Sequence, residues 1–171
     1  APASASKLNI TADSTLSGGV TLASNLSVGS ASSNVGLAIS GGLTLDHAAG
    51  EALCVFNGDN GFTTTNALTF NTGTLGGTGT VLLTPGSNMV LRMLVNGNQT
   101  LTVGSGVTIK TNSVATNAQT GIAGSTTSGI INEGTISAAS TGRTFSVTTN
   151  AVTNTGTFQA VNGGTFTVGT N

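Results

Sequence analysis

Apolar and polar residues alternate along this chain in short bursts, and the bursts recur. One tetrapeptide pattern (any residue, apolar, small polar, apolar) appears nine times. It reads Lys7-Leu8-Asn9-Ile10, Gly19-Val20-Thr21-Leu22, Asn25-Leu26-Ser27-Val28, Gly42-Leu43-Thr44-Leu45 and Ala67-Leu68-Thr69-Phe70. It continues as Thr100-Leu101-Thr102-Val103, Gly106-Val107-Thr108-Ile109, Thr144-Phe145-Ser146-Val147 and Thr165-Phe166-Thr167-Val168. A period of two predicts strands with one face buried. The residues between the apolar pairs are Asn9, Thr21, Ser27, Thr44, Thr69, Thr102, Thr108, Ser146 and Thr167. They form a candidate outward face of Thr, Ser and Asn, residues of which Thr is a good strand former.

A second motif, Asn-x-Gly-Thr-apolar, reads Asn71-Thr72-Gly73-Thr74-Leu75, Asn132-Glu133-Gly134-Thr135-Ile136 and Asn154-Thr155-Gly156-Thr157-Phe158. Asn162-Gly163-Gly164-Thr165-Phe166 is a variant. Asn and Gly accept left-handed backbone angles, so the motif predicts a corner followed by a strand.

Spacing predicts how the strands assemble. Asn132 recurs as Asn154, and Phe145 as Phe166, each after roughly 20 residues. Leu8, Leu26 and Leu43 follow one another at slightly shorter intervals, and Leu101 to Phe145 spans two such units. Short strands and Gly/Asn corners repeating at roughly 20 residues predict an all-β, parallel β-solenoid of about eight rungs. The chain is then a single domain over residues 1–171. Two stretches depart from the pattern. Val90-Leu91-Arg92-Met93-Leu94-Val95 is apolar on both faces, and Asn96-Gly97 follows it. Asn-Gly between strands is a strong hairpin signal, so an antiparallel β-sandwich is the alternative fold. The second departure is an irregular or short helical insertion expected near 46–61, which Asp46 could cap.

Composition narrows the function. Charged residues are 5% of the chain, against about 25% in ordinary soluble domains. Gly, Thr, Ser and Asn make up just over half of it. Four scattered cations (Lys7, Arg92, Lys110 and Arg143) and no Trp or Tyr argue against nucleic acid as a partner. The longest apolar stretches fall far short of about 20 residues, so no membrane insertion is expected. A small-residue start, Ala1-Pro2-Ala3-Ser4-Ala5-Ser6, is what signal-peptide cleavage leaves, and the expected location is extracellular or at the cell surface.

The Asn-x-Gly-Thr corners and Thr/Ser-lined strands, clearest from Ile130 to Val168, resemble the repeats of bacterial surface β-helices. These include autotransporter passengers and filamentous-haemagglutinin-like adhesins. The resemblance implies a right-handed parallel β-helix, exported, serving as stalk, fibre or adhesive surface.

Candidate chemistry is sparse. Asp46, His47, Glu51, Cys54 and Asp59 hold the only His, the only Cys and three of the five acids. Their spacing matches no standard zinc pattern, so no metal site is assigned. Cys54 reads as a small buried hydrophobe. Asn57-Gly58-Asp59-Asn60-Gly61 carries too few carboxylates for tight calcium binding and reads as a turn. Sugar hydrolysis needs paired carboxylates, and outside that cluster only Asp13 and Glu133 remain. The chain therefore reads as no enzyme, and no cofactor is implied.

What remains is a secreted structural or adhesive solenoid. A solenoid without polar caps exposes unpaired strand edges, which other copies can satisfy by head-to-tail stacking into a filament. The expected partner is thus the chain itself, with host surface, glycan or ice as further targets. Candidate self-assembly contacts are Val90, Arg92 and Leu94 on the side and Phe166 and Val168 in the last strand. The alternative function is an ice-binding or polysaccharide-binding module. Ice would be read by the recurrent Thr-x-Thr pairs, which lie at irregular spacing along the chain.

Overall fold

The computed structural model describes residues 8–23, 26–29, 35–46, 52–56, 64–112 and 117–170. Every strand pairing among them is parallel, and the strands sort into three stacked faces. The first face stacks β1 (Leu8–Ile10), β4 (Leu26–Val28), β7 (Ala52–Phe56), the second half of β9 (Thr74–Thr84), β12 (Gly106–Thr111), β15 (Thr135–Ala138) and β18 (Thr157–Ala160). The second face stacks β2 (Ser14–Ser17), β5 (Leu37–Ser40), β8 (Thr64–Thr72), β10 (Val90–Val95), β13 (Gln119–Gly124), β16 (Thr144–Thr148) and β19 (Thr165–Gly169). The third face stacks β3 (Val20–Leu22), β6 (Leu43–Asp46), the first half of β9, β11 (Thr100–Val103), β14 (Gly129–Asn132) and β17 (Ala151–Asn154).

The chain is therefore a β-solenoid whose every turn visits the three faces in order. Among the described residues there are six full turns and two strands of a seventh, fewer than the expected eight. The reason is turn length. Leu8 and its register partner Leu26 are close in sequence, whereas Leu43 and its partner Leu75 are much further apart. Hydrogen bonds join levels and not neighbours in sequence, so a corner can lengthen without disturbing the register, at modest entropic cost. The spacings of Asn132 from Asn154 and of Phe145 from Phe166 are true registers. Two other spacings are not. Leu26 and Leu43 lie on different faces of one turn, and Leu101 and Phe145 lie on different faces too.

The core is a set of apolar columns. On the first face one column runs Val81, Ile109, Ile136 and Phe158 in register. On the second, Leu37, Leu68, Met93, Ile122 and Val147 are all fully buried, and Val168 ends the column. Burying one such side chain contributes about 1.5–3 kcal/mol before chain entropy. The third face departs from this. Val20, Leu43, Leu75 and Val103 are followed in register by Asn132 and Asn154.

The Asn-x-Gly-Thr motif makes corners, as its chemistry predicts, and it makes all three kinds. Asn71–Thr74 turns from the second face to the third, Asn132–Thr135 and Asn154–Thr157 from the third to the first, and Asn162–Thr165 from the first to the second. The glycine is needed because consecutive corners touch. A Cβ on Gly156 would run into the Gly134 carbonyl, and one on Gly134 into the Val107 and Gly104 carbonyls. The asparagines form ladders. Asn132 Nδ2 donates to Asn154 Oδ1 at 2.6 Å, and Asn96 Nδ2 to Asn71 Oδ1 at 3.0 Å.

Asn96-Gly97 is one of these corners and not a hairpin. Gly97 takes φ 55, Asn96 N donates to Phe70 O in the level below, and β10 passes on to the third face. With no antiparallel pair among the described residues, the sandwich alternative is set aside. In the irregular or short helical insertion expected near 46–61, the described residues are strand. Asp46 ends β6, and Ala52–Phe56 is strand β7, paired with β4 on one side and β9 on the other. Two ladders outweigh a weak helical propensity. The remainder of the expected insertion, 47–51 and 57–61, lies outside the described residues.

Candidate functional site

The nine outward positions do not share a face. Asn9, Ser27 and Thr108 lie on the first face, Thr69, Ser146 and Thr167 on the second, and Thr21, Thr44 and Thr102 on the third. Ser27 is buried where it stands, so it presents nothing to solvent. Some are register neighbours: Asn9 with Ser27, Thr21 with Thr44, and Ser146 with Thr167. Thr167 Oγ1 donates to Ser146 Oγ at 2.9 Å. A longer column escapes the tetrapeptide pattern. Thr80, Thr108, Thr135 and Thr157 stand at the same outward position on four successive levels of the first face. Their unequal separations along the chain hide the column in the sequence. The adjoining outward column on one side reads Leu82, Lys110, Ser137 and Gln159, and on the other Thr78 is followed in register by Gly106, so no second continuous Thr column runs beside the ladder. An array of Thr-x-Thr pairs needs two neighbouring Thr columns, and this wall has one.

The five candidate assembly residues divide between two places. Val90, Arg92 and Leu94 point outward from β10, partly covered, in the middle of the second face. Their neighbours Leu91, Met93 and Val95 point inward and are buried, which explains why the strand is apolar on both sides. Phe166 and Val168 point inward on β19, the terminal strand of the same face. There the column loses its cover: Val147 is 0% exposed and Val168, one level on, is 51% exposed. Phe166 stacks on Phe145 with ring centroids 5.6 Å apart, and on Phe158 at 4.9 Å. Phe145 is fully buried; Phe158, Phe166 and Val152 are only partly so. The edge made by β17, β18 and β19 thus presents a partly open apolar surface ringed by strand backbone.

Two hollows mark the second face. One, of about 100 Å³, is lined by Val90, Arg92, Gln119, Gly121, Ser146 and Thr148, with two core residues beneath. The other, about 290 Å³ and more open, lies at the adjoining corner against Asn117, Gln119, Gly142, Arg143 and Thr144. Gln119 lines both.

The described acids, Asp13, Asp46 and Glu133, stand apart from one another. Asp13 Oδ1 accepts from Gly36 N at 2.8 Å, which ties the first corner to the next level. Asp46 is exposed at the end of β6, and Glu133 is exposed at the corner between β14 and β15. His47, Glu51 and Asp59 lie outside the described residues. Cys54 stands in β7 in register with Ser27 and Leu82. Among the described residues no three His, Cys, Asp or Glu gather to hold a metal ion. No helix among them is long and apolar enough to cross a membrane.

The fold defines the class: a parallel β-solenoid with three strands to the turn. No family model, no curated protein and no solved structure matches the chain.

Proposed function

We propose that this chain is a non-enzymatic structural and adhesive β-solenoid of the cell exterior, and that copies of it stack head to tail. The observation that carries the reading is the open edge of β17–β19. Inward columns that are fully buried one level earlier end there in part-exposed Val152, Phe158 and Phe166 and in the exposed Val168. Strand edges of this kind template a further parallel level, since their backbone groups point along the rod.

The occupant that fits is the first level of a second copy. The opposite end is built to a similar gauge. Two of its turns, Ser14 to Leu37 and Val20 to Leu43, are close in length to those at the β17–β19 edge, and the third, Leu8 to Leu26, is shorter. The turns at the β17–β19 edge run from Ile130 to Val152, Ile136 to Phe158 and Phe145 to Phe166. Turns between the two ends, such as Leu43 to Leu75, are longer. The first level also has inward side chains short of cover, Leu16 and Val20. A heterologous contact between unlike ends repeats without closing and yields a fibre. Low charge leaves little repulsion to oppose it. Export and a surface location belong to the same proposal; the Thr/Ser/Asn-rich wall supports them.

Negative-stain microscopy and sedimentation across a concentration series test the stacking. Rods that lengthen with concentration are expected, and Phe166→Glu is expected to leave single copies. Single copies of the unaltered chain at the highest concentration would overturn the reading.

A further inference from the structure

We infer that the second face carries a binding site for a carboxylate-bearing sugar, with Arg92 as the group that recognises the charge. The inference deepens the adhesive half of the reading above by naming a ligand class.

The site is made by three successive levels. Arg92, Gly121 and Ser146 occupy one outward column in register, and Thr167 continues it on a fourth level. Gly121 supplies no side chain, and a Cβ there would run into the Ser146 carbonyl, so the position stays bare. The hollow of about 100 Å³ lies over it. A single water needs only about 10–15 Å³ of such space, so there is room for a carboxylate and part of a ring.

The groups around the hollow suit that ligand. Arg92 stands half-covered at the rim of the hollow, in register with the bare Gly121. A guanidinium is a planar fork that matches a carboxylate with two parallel hydrogen bonds. No described acid competes for it from this wall: Asp46 and Glu133 belong to other faces, and Asp13 stands at the far, first level. Ser146 Oγ already accepts from Thr167 Oγ1, which leaves its own hydrogen to donate outward. Thr148 and Gln119 add a hydroxyl and an amide, and Val90 an apolar edge. Hydroxyl and amide groups beside one cation fit a hydroxylated acid better than a bare inorganic anion. The second hollow, sharing Gln119 and lined by Arg143, lies where the next unit of an acidic oligosaccharide would run. With one charge at each hollow and no aromatic platform, binding per site is weak and an acidic polymer gains by engaging many sites.

Calorimetric or NMR titration of the full chain with trigalacturonate tests this, at a dilution where sedimentation shows single copies. Failure of binding is then distinct from failure of stacking. Saturable binding is expected. Arg92→Gln should weaken it about tenfold or more, the loss of a charge-assisted pair. Arg92→Lys should recover only part of the affinity, and Ser146→Ala should weaken it with Arg92 intact. The methyl-esterified sugar should not bind. No saturable binding, or equal binding by Arg92→Gln with its circular dichroism unchanged, would overturn the inference. So would equal binding of the methyl ester, of sulfate alone or of a polyglutamate peptide.

Discussion

Phe145 and Phe166 offer the same side chain at two depths of one column. They are register partners, their rings stack at 5.6 Å with planes 2° apart, and one level separates them. Phe145 is 0% exposed, with Thr120 before it and Phe166 after it. Truncating it to alanine should cost about 3–5 kcal/mol, the usual loss for a fully buried aromatic. Phe166 has the stack on one side and an open edge on the other, so only part of its area leaves water on folding. Phe166→Ala should cost about 1–2 kcal/mol in a single copy. Urea unfolding reads both values. With a slope of about 2 kcal/mol per molar, Phe145→Ala lowers the midpoint by about 1.5–2.5 M and Phe166→Ala by about 0.5–1 M. The order should then shift with concentration. Under the proposed stacking Phe166 is covered, so the unaltered chain should gain stability by mass action while Phe166→Ala should not. Equal losses in dilute solution would mean that the β17–β19 edge is as well covered as the interior, and the argument for an open end would fail.

Two further outcomes follow from the core and the corners. Thr120 is 2% exposed between Leu91 and Phe145, and its hydroxyl has no hydrogen-bond partner, so Thr120→Val should raise stability by about 1–2 kcal/mol in the same urea assay; a lower midpoint would show that the hydroxyl is satisfied. Gly134→Ala should cost about 1–3 kcal/mol because its Cβ meets two carbonyls of the preceding level, whereas Gly19→Ala, with only an ordinary contact to Gly41 O at 3.6 Å, should be close to neutral; similar thermal shifts for the two would refute the account of the corners.

Much of this molecule is legible in its local pattern. Alternation in Leu43-Thr44-Leu45 or Phe145-Ser146-Val147 is enough to set strand, inward side and outward side, because a strand's side chains alternate whatever it pairs with. Asn-x-Gly-Thr marks corners because Gly tolerates the close approach of the level beside it and, at Gly73, a left-handed backbone angle as well. The same rules misled where a signal had two meanings. Asn96-Gly97 is as good a solenoid corner as a hairpin turn, and Ala52–Phe56 becomes a strand only because two partners wait for it.

Which strand lies on which is a tertiary matter. Hydrogen bonds join levels across stretches of chain as short as Leu8 to Leu26 and as long as Leu43 to Leu75. Corners of unequal length scramble the spacing without moving the register. Hence the Thr80–Thr157 ladder and the hollow of Arg92 over Gly121 have no counterpart as motifs. Each is assembled from residues that only stacking brings together. The exposed edge is of the same kind: Phe166-Thr167-Val168 reads like Phe145-Ser146-Val147, and only the stacking of the described levels separates the exposed Val168 from the buried Val147.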